Sequence, residues 1–289
     1  MKQVYIHFDQ NKKKIERSLL AILILMFLHG VYKNALSYVI INKLDLITCL
    51  SLLLYPIITI LWVMIFTKKI KLCLSDYIEA LLLCIMIPPR FSLILFSLMT
   101  FLYYGVKKKL AKNLTNISLL LVFKVLTCLI SYFIIKIDYQ NIIEASTPYL
   151  YSSFDLLFGR AVGNLGATSI LLLILYFGVS AQNIYYKKEL SVTILETYII
   201  LAILYSCFYT HEDFLPIILN SHVFYASIIL TSNPSTSPAE KKYLYAFGIL
   251  TSFLAFILTL IFHHVNGIYY SLLFTQTIWT VLHKYLKLI

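Results

Sequence analysis

The segment Gly163-Asn164-Leu165-Gly166-Ala167-Thr168-Ser169 has the residue types that let a backbone approach an anion closely. Gly163 and Gly166 carry no Cβ, and Thr168 and Ser169 can cap a helix starting just after them. Such a helix N-terminus presents unpaired N–H groups and the positive end of a dipole, which favours phosphate. The same glycines also suit close packing of helices, and the residues alone leave both readings open. A second polar break, Thr231-Ser232-Asn233-Pro234-Ser235-Thr236-Ser237-Pro238, offers the Asn233 amide and the Thr236 hydroxyl either to a cofactor or to an ordinary capped turn. In Ser146-Thr147-Pro148 the proline biases Thr147 to extended backbone, which holds its hydroxyl away from any local helix.

Other candidates carry less. His263 and His264 are adjacent, so on a helix their side chains diverge, and no Cys or carboxylate accompanies them as a metal ligand. The five cysteines are single and mostly inside apolar runs, which reads as packing and not as a disulfide or metal framework. Of the ionisable residues inside apolar runs, Lys124 and Glu196 are the good candidates for an ion path, and Lys124 either faces the bundle interior or snorkels. There is no Walker loop, Ser/His/Asp order or dinucleotide fingerprint, and no catalytic residue is assigned.

The elements that must position these residues are membrane helices. Of 289 residues, 60% are hydrophobic and 13% charged, and the mean hydropathy is +0.84, which excludes a water-soluble domain. The net charge of +11 falls in short clusters between apolar runs, so it reads as topology and not as a nucleic-acid footprint. Apolar runs are expected at residues 18–41, 46–66, 77–106, 114–137, 166–181, 190–209, 214–230, 243–262 and 268–282. The run 77–106 is broken by Pro88-Pro89-Arg90, because proline cannot continue the helical ladder. The lysine clusters at 68–71, 107–112, 187–188, 241–242 and 284–287 lie on one side, which makes both termini cytoplasmic and puts Thr147 on the other side.

The expected fold is all-α: a polytopic integral membrane protein of about ten helical segments in two inverted five-helix repeats with broken half-helices. Residues 1–137 form the first repeat with a cytoplasmic N-terminus, 138–160 a non-cytoplasmic loop, and 161–289 the second repeat. An odd number of segments per half inverts the second half relative to the first.

Several stretches together resemble one family, the RnfD and NqrB membrane subunits of ion-translocating electron-transport complexes. Residues Ala80 to Pro89 resemble its apolar half-helix ending in a proline pair, and Gly163 to Ser169 its Gly-Ser-x-Gly-Glu-Thr-Ser motif. Thr231 to Pro238 resembles its Ala-Thr-Asp-Pro-Val-Thr-Ser-Pro loop, followed by Phe247-Gly248, and Asn266 to Leu273 resembles its Asp-Gly-Val-Ala-Phe-Ala-Val-Leu. The motifs occur in the family's order.

The resemblance implies a bacterial inner-membrane subunit that carries flavin mononucleotide (FMN), joined through its phosphate to a threonine in a Ser-Gly-Ala-Thr-Pro-type motif. Glu144-Ala145-Ser146-Thr147-Pro148 occupies that place, so Thr147, with Ser146 beside it, is the implied attachment residue. Gly163, Gly166, Thr168, Ser169, Asn233 and Thr236 are the further implied cofactor contacts, and a second, non-covalent flavin is left open. The implied partners are the other subunits of an Rnf-type complex and the lipid bilayer, with no nucleic acid; the subunit is expected to be inactive alone. The chain departs from the pattern at Glu144 (family serine), Ala167 (glutamate) and Asn233 (aspartate), and the stretch after Lys109 lacks most of the family's glycines. Two rival readings stay open, a small-solute channel or transporter of similar inverted-repeat fold and a structural subunit without a cofactor.

Overall fold

Run length and the positions of breaks translate directly into helices. The computed structural model describes residues 2–36, 46–68, 71–88, 91–110, 118–131, 133, 152–160, 163–183, 186–209, 215–231, 237–238, 240–262 and 266–285. Every regular element among them is helical. In chain order these are α1 (Lys2–Val31) continuing into a π turn (Tyr32–Leu36), α2 (Leu46–Thr67), α3 (Leu74–Ile85), α4 (Leu93–Leu110) and α5 (Leu119–Ile130). They are followed by α6 (Ser153–Phe158), α7 (Ile170–Ser180), α8 (Lys188–Tyr209), α9 (Leu215–Ile218), α10 (Ser221–Tyr225) with a second π turn (Ala226–Leu230), α11 (Lys241–Phe262) and α12 (Gly267–Tyr285).

Four helices among the described residues are long and apolar enough to cross a membrane, over Lys13–Asn34, Leu50–Thr67, Lys188–Phe208 and Lys241–Ile261. Leu119–Ile130, Ile170–Ser180 and Ser221–Leu230 are apolar but shorter. At 1.5 Å per residue the 11 residues of α7 reach only about 16 Å, half of a bilayer core. The run broken at Pro88 is two pieces, α3 and α4, as expected. The run 214–230 is also interrupted: it stops at Leu219 and restarts at Ser221 because the Asn220 side chain accepts from the His222 N–H at 3.0 Å and caps the new helix.

The chain divides into two compact units. Unit 1 comprises residues 1–109, 164–167 and 172–186; α1 and α2 pack on α3, and the hydroxyl of Tyr55 on α2 donates to the Phe91 carbonyl just before α4. Phe101 on α4 meets Trp62 and Phe66 of α2 as tilted ring pairs 4.9 and 5.4 Å apart. Unit 2 comprises residues 110–163, 168–171 and 187–289; α11 packs between α8 and α12, and α12 also meets α5.

The core of each unit is mainly apolar but also buries polar side chains, while large apolar side chains remain exposed on the outside. Thr59, Lys124, Thr127, Ser191, Ser227, Thr251 and Ser252 are buried, whereas Ile94 is 84% and Phe208 78% exposed. The buried hydroxyls serve backbone carbonyls: Ser191 Oγ donates to Ser227 O at 2.7 Å and Ser252 Oγ to Ile194 O at 2.9 Å, tying α8 to its neighbours. In hydrocarbon an unmet polar group has no water to turn to, so such bonds supply helix contacts that lipid-like side chains do not.

Candidate functional site

The Gly-rich segment is buried throughout, from Gly163 to Ser169. Within unit 1 its residues 164–167 complete the broken end of α3. A helix that stops at Ile85 leaves its last carbonyls without intrahelical partners. The Gly166 N–H donates to Ile85 O at 3.2 Å and the Leu165 N–H to Ile87 O at 2.8 Å, so the proline-pair break and the glycine motif form one structure. The contact leaves no room for side chains. A Cβ on Gly30 of α1 would lie 1.8 Å from Leu165 O, and one on Gly166 would lie 2.8 Å from Met26 O. Gly166 is therefore at a close approach of backbones, one of the two roles its type allowed.

Within unit 2, Thr168 and Ser169 immediately precede Ile170, where α7 begins, at the place where a capping hydroxyl was expected. A Cβ on Gly163 would lie 2.8 Å from Thr168 Cγ2 and 3.4 Å from His222 Nε2, so the glycine lets this imidazole come up to the motif. His222 is held there by the first turn of α10, behind the Asn220 cap. Its Nδ1 lies 3.1 Å from the Tyr269 hydroxyl, and the two rings meet edge to face with centroids 5.8 Å apart. Tyr269 stands in the first turn of α12, directly after the Asn266-Gly267 turn.

Lys124 faces the interior and does not snorkel. It is fully buried, and its Nζ is 5.1 Å from the centre of the Tyr269 ring. His222, Tyr269 and Lys124 thus stand together inside unit 2, with Gly163 beside the imidazole. An imidazole and a phenol sharing a hydrogen bond can pass a proton between them, and a lysine nitrogen over a ring face is attracted to it when protonated.

The second polar break is seen at its two ends. Thr231, at the first, donates through Oγ1 to the Ser227 carbonyl. At the other end Lys187 Nζ donates to Ser237 Oγ at 2.8 Å, Pro238 O at 3.0 Å and Ser237 O at 3.1 Å. Burial holds the Lys187 ammonium below the usual lysine range. Asn233 and Thr236 lie outside the described residues, as do Ser146, Thr147, Glu144, His263 and His264.

Two corrections to the count of ionisable groups follow. Lys33, in the π turn after α1, is buried, and Glu79 on α3 is ion-paired with Lys107 and hydrogen-bonded by Tyr103, so Lys124 and Glu196 do not exhaust the candidates within the apolar helices. His222 was also missed. Its signal is the Leu219-Asn220-Ser221-His222 sequence, an asparagine cap in the middle of an apolar run.

An all-helical chain with exposed apolar side chains, four spanning helices among the described residues and half-helices stopped inside the apolar sequence is an all-α polytopic membrane protein. The profile of the NQR2, RnfD, RnfE family matches residues 1–288, and the chain belongs to that family. A comparison with the curated proteins finds no match. Membership supports a subunit of the Rnf/Nqr-type ion-translocating complexes, with other subunits as its partners.

Proposed function

We propose that the chain is the membrane subunit of an Rnf-type complex that carries FMN as a phosphate ester on Thr147 and relays electrons while the complex moves Na⁺ or H⁺. The observation that carries this reading is the family match over residues 1–288. The described donors suit an anionic group: the hydroxyls of Thr168 and Ser169, the His222 imidazole and the buried Lys124 ammonium are of the types that hold phosphate or a reduced, negatively charged ring. When bound, FMN supplies the redox chemistry. The residues of the chain supply attachment at the Thr147 hydroxyl, exclusion of water by the buried 163–169 segment, and a proton that can move between His222 and Tyr269. The subunit sits in the bacterial inner membrane with both termini cytoplasmic.

One observation favours a second reading, a subunit without the cofactor. The Leu165 and Gly166 amides are committed to α3 carbonyls, so this part of the glycine motif serves the fold. The two readings separate in a denaturing gel viewed for flavin fluorescence, with a flavin transferase co-expressed and a fluorescent family member in the next lane. The FMN reading expects a bright wild-type band that is dark in Thr147→Ala. A dark wild-type band sinks it and leaves the cofactor-free subunit.

A further inference from the structure

Two ionisable groups of the apolar helices among the described residues are satisfied inside the chain, and a third is not. Glu79 has Lys107 and Tyr103, and Lys124 lies over the Tyr269 ring. Glu196 on α8 is exposed and has no hydrogen-bond or ion-pair partner among the described residues. Its depth follows from helix geometry. Within the span Lys188–Phe208 it stands eight residues from one end and twelve from the other, about 12 Å and about 18 Å along the axis, which is inside the hydrocarbon layer.

The face around it is otherwise lipid-like. Ile200, Ile203, Leu204 and Phe208 follow at spacings of four, seven, eight and twelve, lie on the same side of the helix and are exposed, Ile200 by 57%. Leaving a carboxylate on that stripe against acyl chains costs several times what any apolar neighbour gains there. The exposed Ile200, Ile203, Leu204 and Phe208 side chains on this stripe are hydrocarbon, which lines no water path there. The complement to one carboxylate on an apolar helical stripe is an apolar helix with one cation at the same depth.

We infer that this face of α8 is the seat of a transmembrane helix from another subunit, which presents a lysine or arginine to Glu196. The inference rests on the reading of the chain as a subunit of a complex. It fixes which side of the protein meets that subunit and the chemistry of the contact.

The test uses the tagged full-length chain in the membranes of its own host, with a photo-crosslinking phenylalanine derivative in place of Ile200. The expected result is an adduct to a second membrane polypeptide, mapped within one turn of a lysine or arginine. Glu196→Lys then lowers co-purification of that polypeptide roughly threefold to tenfold, the range of an interhelical polar contact in a bilayer. Exchanging the mapped basic residue for glutamate in the Glu196→Lys background restores it. Glu196→Gln, which keeps the shape and loses the charge, lowers recovery in the same direction and guards against a folding defect of the lysine variant. A lipid adduct alone at position 200, or unchanged recovery with both Glu196 variants while other subunits still co-purify, overturns the docking face and leaves the subunit reading intact. Recovery of no other subunit with the wild-type chain overturns both.

Discussion

Gly30 and Gly166 show how much a single missing Cβ controls here. The Cβ that alanine would add at position 30 meets the Leu165 carbonyl at 1.8 Å, and neither partner is a flexible side chain. Gly30→Ala should therefore cost about 1–3 kcal/mol by overpacking, read as a lower melting midpoint of the purified protein. Gly178 lies inside α7, and a Cβ there would meet nothing within 4 Å. Gly178→Ala should accordingly raise the midpoint, since glycine in a helix costs about 0.5–1 kcal/mol relative to alanine. Equal shifts for the two variants would contradict the close-approach account. The sequence showed that Gly163 and Gly166 serve either an anion or close packing. It could not show that Met26 lies opposite Gly166, or His222 opposite Gly163, because those neighbours come from distant parts of the chain.

At the level of elements, the helices were legible and their closures were not. Apolar run length marked α2, α8 and α11, and the proline pair marked the gap between α3 and α4. The break at Asn220 is equally local but was not read, because the apolar residues around it outweigh one capping amide in a hydropathy count. Lys187 was read as a marker of the cytoplasmic side, whereas its three hydrogen bonds also fasten the end of the second polar break. Lys187→Met should speed hydrogen exchange over residues 237–244, on the scale of about 1.5–3 kcal/mol for bonds to a charged group; unchanged exchange would show that the loop holds without them.

The short helix α6 carries a pH dependence whose sign follows from its cap. Ser152 Oγ donates to Asp155 Oδ2 at 2.8 Å and the Ser152 N–H donates to the same oxygen at 3.1 Å, and with Arg160 at 3.6 Å they hold the Asp155 carboxyl below its usual range. A depressed folded-state pKa stabilises the ionised helix cap fully above the ordinary aspartate value of about 3.9 and loses that contribution as pH falls through the lower value. Acidification should therefore loosen residues 153–159, seen as faster exchange after correction for the intrinsic rate. Asp155→Asn should be loose at neutral pH and lose most of the dependence.

For the whole molecule, the lysine clusters make a prediction about sidedness. In a background without native cysteines, Lys13→Cys and Lys108→Cys should react with a membrane-impermeant maleimide only after the cells are opened, because both belong to clusters assigned to the cytoplasm. Labelling of either position in intact cells would reverse the topology. Class and family-level reading came from the chain alone, since hydropathy, charge clusters and the order of short motifs are written along it and need no partner in space. Helix ends marked by proline, glycine and capping residues are local for the same reason: they depend on backbone geometry within a turn or two. What depended on folding is which polar groups answer one another. The α3 carbonyls take the Leu165 and Gly166 amides, Lys124 turns inward over Tyr269, and Glu196 is left facing outward. An apolar medium demands that each such group be met but does not say by whom, and only the packing of helices far apart in sequence makes that choice.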